Sequence, residues 1–269
     1  MPDAIRFEAD PGRPRLLHLV ADEVVQATVD LDDPAHLEAE YMQRIAYLVD
    51  EAAPPRRPLR TLHLGAGALA MARYVAATRP GSYQQAVETN AELVALVRAE
   101  APLPRRVKVK IRHADAREAL EAAPERSYEF MVTDVYHRAR VPAHVTTVEF
   151  LGHARRVLRP GGHYAVNLCD GGRLRFLKPA LAAMGAVWDH VAVMAEPAVL
   201  RGRRFGNVVA VASDAELPLD RLRRRCAGAP FPCRVLGGAE LVEYVGGAAP
   251  ARDGSAIASP PPPASLRSF

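Results

Sequence analysis

Hydrophobic and polar positions follow two different periods along this chain. Over residues 1–33, short runs alternate between apolar and polar side chains, and Pro11 with Gly12 gives a turn signal between the first two runs. Such alternation is typical of strands that bury one face. We predict a small β-meander for these residues.

A helical period replaces the alternation in residues 34–57. Apolar side chains recur three or four positions apart, at Leu37, Tyr41, Ile45 and Leu48. Asp32 or Asp33 is expected to cap this helix, and Pro34 suits its first turn. We expect the helix to start at Pro34 and to stop before Pro54, where a linker begins.

Residues 58–228 repeat a unit of strand, turn and helix. Five strands alternate with helices, which predicts a parallel sheet covered on both faces. Two further strands, over 188–196 and 205–213, are joined by a basic loop too short for a crossover helix, so an antiparallel hairpin is expected at the sheet edge. The predicted fold is therefore α/β, with a seven-stranded Rossmann-like domain. Helices are predicted over residues 67–78, 90–100, 115–122, 145–158, 173–185 and 217–226.

The chain beyond residue 228 is rich in Gly, Ala and Pro. We predict a C-terminal extension over residues 229–249 and a disordered tail over residues 250–269, because the ending SPPPPASLRSF offers little apolar surface to bury. Deleting this tail is then expected to leave stability unchanged.

Composition narrows the class of protein. The chain has 269 residues, 49% of them hydrophobic, which is enough for one large domain. No apolar run reaches the length of a signal peptide or a membrane span, so we expect a cytoplasmic protein without a membrane partner. The 35 basic and 31 acidic residues are scattered, which argues against nucleic acid. The spacing of the three cysteines fits neither a disulfide framework nor a structural metal.

A glycine-rich turn follows the first strand of the repeat. Gly65 and Gly67 lie between that strand and the next helix, and Glu88 ends the following strand, 23 residues after Gly65. Glycines let a turn approach a ligand closely, and the acid can accept hydrogen bonds from both ribose hydroxyls. This arrangement predicts a nucleoside site, although the same turn also fits a dinucleotide such as NAD.

Two aspartates end the next strands of the repeat. Asp115 follows the third strand, where an acid can accept a hydrogen bond from an adenine amino group, and Asp134 follows the fourth. Open α/β sheets bind ligands at these carboxyl ends. A carboxylate such as Asp134 can take the proton from an amine, which has a pKa of about 10 by analogy with lysine and arrives charged.

In their order and spacing, the segments HLGAG, AVETN, HADARE, YEFMVTD and RVLRPGG resemble class I S-adenosylmethionine-dependent methyltransferases. Within that superfamily, the β-meander, the segment LEAEYMQRIAYL and the hairpin RGRRFGNVVAVAS are most similar to the spermidine synthase (polyamine aminopropyltransferase) family. The resemblance covers about residues 15–215. It implies an aminopropyl transfer from decarboxylated S-adenosylmethionine to a small amine, without a metal, and a homodimer.

The resemblance also implies roles for individual residues. Gln26 and Tyr41 would flank the donor and acceptor pocket, with Tyr41 assisting catalysis. Glu88 would hold the ribose, Asp115 and Ala116 would meet the adenine, and Asp134 would be the catalytic acid-base group.

Three departures from the family pattern keep other functions open. Ala68 stands where an acid usually contacts the donor amino group, which would favour a methyltransferase using ordinary S-adenosylmethionine. The loop from Asp134 to Ala139 lacks the second acid of a DxxDP segment, and Met42 follows Tyr41 in place of the usual Gln or His. A non-catalytic nucleoside-binding relative is a further alternative.

The loop after Asp134 offers its own acceptor groups. Tyr136 and His137 are candidates for the acceptor pocket, since a histidine titrates near neutral pH and can act as a base. Arg138 and Arg140 would suit an anionic acceptor or solvent.

Overall fold

Two β-sheets organise the chain in a computed structural model, which describes residues 5–21 and 24–263. The smaller sheet is antiparallel and has the strand order β1-β2-β3. Its strands are β1 (Arg6–Ala9), β2 (Leu16–Ala21) and β3 (Val24–Asp30). This confirms the predicted β-meander.

The helix after the meander starts later than the sequence predicts. Helix α1 spans Glu40–Glu51, and Ala39 precedes it without a side-chain cap. The buried carboxylate of Asp30 instead accepts the backbone N–H groups of Asp32 and Asp33, at 2.9 and 3.0 Å. These bonds hold the segment in a turn, so the prediction that Asp32 or Asp33 caps the helix is wrong.

The larger sheet contains eight strands in the order β11-β9-β10-β8-β7-β4-β5-β6. Its strands are β4 (Arg60–Leu64), β5 (Tyr83–Glu88), β6 (Val109–His113), β7 (Tyr128–Thr133), β8 (Leu158–Asp170), β9 (His190–Ala195), β10 (Gly206–Ser213) and β11 (Arg234–Gly237). Strands β4 to β8 are parallel, and β10 is antiparallel to both β8 and β9. The predicted Rossmann-like α/β fold with a terminal hairpin is confirmed.

The eighth strand corrects the prediction of seven. β11 comes from the predicted C-terminal extension and pairs antiparallel with β9, so the hairpin does not lie at the edge of the sheet. A four-residue strand is too short to produce a recognisable alternation in the sequence. Residues Arg234–Gly237 of the predicted extension therefore belong to the larger sheet.

Helices cover both faces of the larger sheet. They are α2 (Ala70–Thr78), α3 (Ala91–Glu100), α4 (Ala116–Ala122), α5 (Val148–Val157), α6 (Leu177–Gly185), α7 (Pro197–Leu200), α8 (Leu219–Ala227) and α9 (Ala239–Val245). One core contains α4, α5, α6 and α9, whereas the other contains α1, α2, α3, α8 and part of the small sheet. Within the described ranges, no helix is both long and apolar enough to cross a lipid bilayer.

A buried arginine joins the end of α1 to the main domain through hydrogen bonds. Arg79, just after α2, is only 2% exposed. Its guanidinium donates to the carbonyl oxygens of Val49, Asp50 and Ala53 at the end of α1, at 2.8, 3.0 and 2.9 Å. It also bonds to the carbonyl of Pro54 at 2.9 Å. These bonds satisfy carbonyl groups that a helix end leaves unpaired, and they order the segment predicted as a linker.

The C-terminal segment over residues 250–263, here called the C-terminal strap, is folded against the main domain. Ser259 is fully buried and Ala251 is 8% exposed. The predicted disorder is wrong for these residues, while residues 264–269 lie outside the described ranges. Composition does not reveal the strap because hydrogen bonds, and not a large apolar surface, attach it to the main domain.

Candidate active site

A cavity of about 980 Å³ opens at the carboxyl ends of β4, β5, β6 and β7. The small sheet and α1 contribute its opposite wall. All ten predicted site residues line this one cavity: Gln26, Tyr41, Gly65, Gly67, Glu88, Asp115, Ala116, Asp134, Tyr136 and His137. The fold therefore gathers residues that are more than 100 positions apart in the sequence.

The glycine-rich turn packs directly against the loop after β7. Gly65 has a φ of +84°, and a Cβ there would lie 2.1 Å from the carbonyl oxygen of Asp134. The backbone N–H of Asp134 donates to the carbonyl of Leu64 at 2.8 Å. Both glycines were expected to let a ligand approach the turn, but Gly65 is needed for this protein contact. Gly67 has a φ of +47°, and open space surrounds the place of its missing side chain.

Glu88 is held in place by the backbone on both sides. Its Oε2 atom accepts the N–H of Ala66 at 3.0 Å, and its Oε1 atom accepts the N–H of Asn90 at 2.9 Å. The carboxylate is thus fixed beside the glycine-rich turn. Each oxygen retains a further lone pair for a hydroxyl donor.

Asp115 caps helix α4. Its Oδ1 atom accepts the backbone N–H of Arg117 at 2.7 Å, and its Oδ2 atom lies 3.7 Å from Nε2 of His144. Asp115 remains part of the cavity wall, with the buried Ala116 beside it. The cap alone explains an aspartate at this position, so its geometry leaves the adenine role a prediction.

Asp134 is bound by two side chains from separate elements. Tyr41 Oη donates to Asp134 Oδ2 at 3.1 Å, and Asn167 Nδ2 donates to Asp134 Oδ1 at 3.0 Å. Sequence reasoning missed Asn167, which lies in β8. Its signal was a polar residue in the otherwise apolar run YAVNL, near the carboxyl end of a strand.

Burial controls the titration of this pair. It raises the pKa of the Asp134 carboxyl above its ordinary value, although the hydrogen bonds from Asn167 and Tyr41 act in the opposite direction. Burial and the charge of Asp134 raise the pKa of Tyr41 well above its ordinary value. Tyr41 therefore keeps its proton and remains a hydrogen-bond donor, and Asp134 is a stronger base than an exposed aspartate.

Two of the remaining predicted residues, Gln26 and His137, are exposed, whereas the hydroxyl of Tyr136 is buried. Gln26 is exposed, and its amide nitrogen lies 3.4 Å from the carbonyl oxygen of Ala21. His137 is exposed in a tight turn in which its backbone pairs with Arg140. The hydroxyl of Tyr136 is buried beside Cys169, and burial, together with this neighbour, raises the pKa of Tyr136 well above its ordinary value.

A buried histidine supports the cavity floor. His63 in β4 is 3% exposed, and its Nε2 atom lies 2.8 Å from Oε1 of Gln84. Burial lowers the pKa of His63 to about 4, despite the hydrogen bond to Gln84, so the imidazole is neutral near pH 7.

Comparison with known proteins identifies the family. No protein-family model matches the sequence. The crystal structure of a probable spermidine synthase from Corynebacterium glutamicum is 36% identical, covers 94% of each chain and aligns with a TM-score of 0.86. Curated polyamine aminopropyltransferases from Neisseria meningitidis serogroup A and Chromobacterium violaceum are 25% and 26% identical. The alignment with the Neisseria protein covers 81% of this chain and 80% of the relative. The alignment with the Chromobacterium protein covers 61% of each chain.

The chain thus spans less than two thirds of the Chromobacterium relative, but nearly all of the Corynebacterium protein. Identity above 30% over almost the full length is sufficient to assign a family. The protein therefore belongs to the spermidine synthase-like family of transferases, with the methyltransferase-like fold that the sequence motifs predicted.

Proposed function

We propose that this protein transfers an aminopropyl group from decarboxylated S-adenosylmethionine to a small amine, with Asp134 as the base. The observation that carries the proposal is the carboxylate of Asp134, held between Tyr41 and Asn167 at the wall of the cavity. Relatives named polyamine aminopropyltransferase support the same reaction.

The chemistry requires an aligned, uncharged amine. Asp134 attracts the ammonium group and accepts its proton, while Tyr41 donates a hydrogen bond that keeps the carboxylate oriented. The freed nitrogen lone pair forms a bond to the carbon next to the sulfonium, and the carbon–sulfur bond breaks. Its electron pair remains on sulfur, which leaves as a neutral thioether and needs no acid. Alignment is therefore the main contribution of the site.

The donor side of the proposal rests on the turn at Gly65 and on Glu88. Glu88 would accept the ribose hydroxyls, and Asp115 with Ala116 would lie against the adenine. Within the described cavity lining, the carboxylates belong to Glu88, Asp115 and Asp134. Because Glu88 and Asp115 are assigned to the donor, Asp134 is the carboxylate of this lining that remains for an ammonium ion. We infer an acceptor that presents one ammonium to this end of the cavity.

Methyl transfer from S-adenosylmethionine is a second candidate, because one residue favours it. Ala68 is 1% exposed and lines the cavity at the turn before α2. A carboxylate there would repel the carboxylate of S-adenosylmethionine, and alanine removes that repulsion. The transferred group is thus decided by which donor binds.

A transfer assay separates the two reactions. The purified protein is incubated with either donor and a panel of mono- and diamines, and the thioether product is identified by mass spectrometry. We expect transfer from decarboxylated S-adenosylmethionine. Asp134→Asn should reduce kcat by at least about a hundredfold, yet change the donor Kd less than threefold. The exposed Asp189 gives a matched control, since Asp189→Asn should leave both values unchanged.

Other outcomes of the assay would overturn the proposal. Transfer of a methyl group alone would establish the second candidate. Donor binding without turnover on any amine would indicate a non-catalytic relative. Unchanged turnover in Asp134→Asn would exclude Asp134 as the base.

A further inference from the structure

The C-terminal strap crosses the main domain before it reaches the active-site cavity. Ala251 donates its N–H to the carbonyl of Pro179 in α6 at 3.1 Å and accepts the N–H of Val148 at the start of α5 at 2.9 Å. Asp253 accepts a hydrogen bond from Nη2 of Arg117 in α4 at 2.7 Å. Three helices on one face of the sheet therefore fix the first part of the strap.

Ser259 attaches the second part of the strap to the loop that begins at Asp134. Its Oγ atom accepts the N–H of Val141 at 2.9 Å, and its own N–H donates to the carbonyl of Val141 at 3.0 Å. Its carbonyl accepts Nε of Arg140 at 2.5 Å. Ser259 Oγ also lies 3.3 Å from Sγ of Cys169, which is two residues beyond Asn167 in β8. A fully buried serine thus joins the end of this loop to β8.

The loop held by Ser259 is an acceptor-side wall of the cavity. Tyr136, His137 and Arg138 line it. Arg138 and Ala139 have φ angles of +49° and +57°, which non-glycine residues seldom adopt without support from their surroundings. Ser259 anchors the residues directly after this turn, so it supports a conformation that the loop sequence does not favour.

Pro262 brings the strap into the cavity itself. It lies three residues after Ser259 and lines the same cavity as Asp134 and Tyr136. Its neighbours Pro261 and Pro263 are exposed and do not line the cavity. The strap therefore contributes one apolar wall residue and the buried anchor that positions the loop beside it.

We propose that the C-terminal strap is a specificity element of the acceptor site, a role that rests on the proposed transfer to an amine. Pro262 contacts the carbon chain of the acceptor. Ser259 is a positioning residue that sets the loop after Asp134. The contacts of Ser259 are with Arg140, Val141 and Cys169, on the side of the loop after Asp134, so we expect the strap to act mainly on the acceptor.

Matched variants test the two parts of this proposal. Ser259→Ala should raise the acceptor KM roughly tenfold, whereas Ser255→Ala, an exposed serine of the same strap, should not change it. Pro262→Ala should raise the KM more for amines with long carbon chains than for short ones, and Pro261→Ala should have no such effect. The donor Kd, measured by calorimetry, should stay within twofold in all four variants. Equal changes in acceptor KM and donor Kd would overturn the proposal.

A second measurement keeps the test independent of turnover. Hydrogen exchange at the amide of Val141 should become at least tenfold faster in Ser259→Ala, since that amide loses its acceptor. If the wild type binds donor but transfers nothing, the proposed function fails, and the exchange result still decides whether Ser259 anchors the loop. Unchanged exchange at Val141 would overturn the anchoring role. If Ser259→Ala does not fold, the two proline variants decide the acceptor role.

Discussion

At the residue scale, two glycines of one turn are expected to respond differently to the same substitution. Gly65→Ala would place a methyl group on the backbone of Asp134, at a φ that alanine rarely adopts. We expect a loss of about 3 kcal/mol in the free energy of unfolding and a displaced Asp134. Gly67→Ala meets no neighbour and should cost about 1 kcal/mol. Urea unfolding measures both values, and similar losses would contradict the contact described for Gly65.

His63 predicts how stability depends on pH. The folded state lowers its pKa to about 4 from the ordinary 6.5, so the neutral imidazole stabilises the fold above pH 6.5. This contribution, about 3 kcal/mol, is lost as pH falls from 6.5 towards 4. His63→Gln should therefore lose less stability than the wild type between pH 7.5 and 4.5.

Unfolding measured by circular dichroism at both pH values tests this expectation. His153, on the exposed side of α5, provides the control, and His153→Gln should follow the wild type. A variant at His63 with the wild-type pH dependence would show that the buried imidazole does not titrate as described.

Residue identity was the part of the site easiest to predict from sequence. Glycines and acids stand at fixed offsets from strand ends, so Gly65, Glu88 and Asp134 were recognisable before the fold was known. Asn167 was not, because a single amide in an apolar strand gives no repeated signal. Its role depends on β8 lying beside β7, which only the sheet order shows.

At the scale of elements, the position of α1 depends on Arg79. Arg79→Met would leave several carbonyl groups at the end of α1 without their donor. We expect a loss of about 3 kcal/mol in the free energy of unfolding and a weaker contact between Tyr41 and Asp134. Arg98→Met, on the exposed face of α3, should change stability by less than about 0.5 kcal/mol. Guanidinium unfolding compares the two variants.

Element boundaries were harder to predict than element types. The spacing of apolar residues predicted α1, but not where the helix starts. Asp30 and Asp33 have the chemistry of a cap, yet both accept backbone N–H groups of the turn over residues 32–35, and α1 begins only at Glu40. A local sequence pattern does not distinguish an aspartate that stabilises a turn from one that caps a helix.

At the scale of the whole molecule, the strap contributes to stability. Deleting residues 250–269 removes the bonds to Val141, Val148 and Pro179, and we expect the free energy of unfolding to fall by about 2 kcal/mol. Deleting residues 264–269 alone removes none of these contacts and serves as the control. Thermal unfolding compares the two deletions. An unchanged Tm in the longer deletion would contradict this expectation and would agree with the prediction from sequence that the tail is disordered.

The overall architecture was predictable because it repeats. Each strand and helix between residues 58 and 228 carries its own periodic signal, and right-handed crossovers leave few arrangements for a parallel sheet. The strap and β11 lack such periodicity. They are held by contacts with elements distant in the sequence, such as Ser259 with Val141 and Arg234–Gly237 with β9.

Both described ends of the chain meet at the active site, and this affects how the protein should be prepared. Ile5 and Pro262 line the same cavity. Phe269 lies seven positions beyond Pro262, a distance of at most about 25 Å for an extended chain. An affinity tag at either terminus would begin within reach of the cavity mouth. Acceptor constants measured on tagged protein would then include the tag, so the assays above call for protein from which every tag has been cleaved.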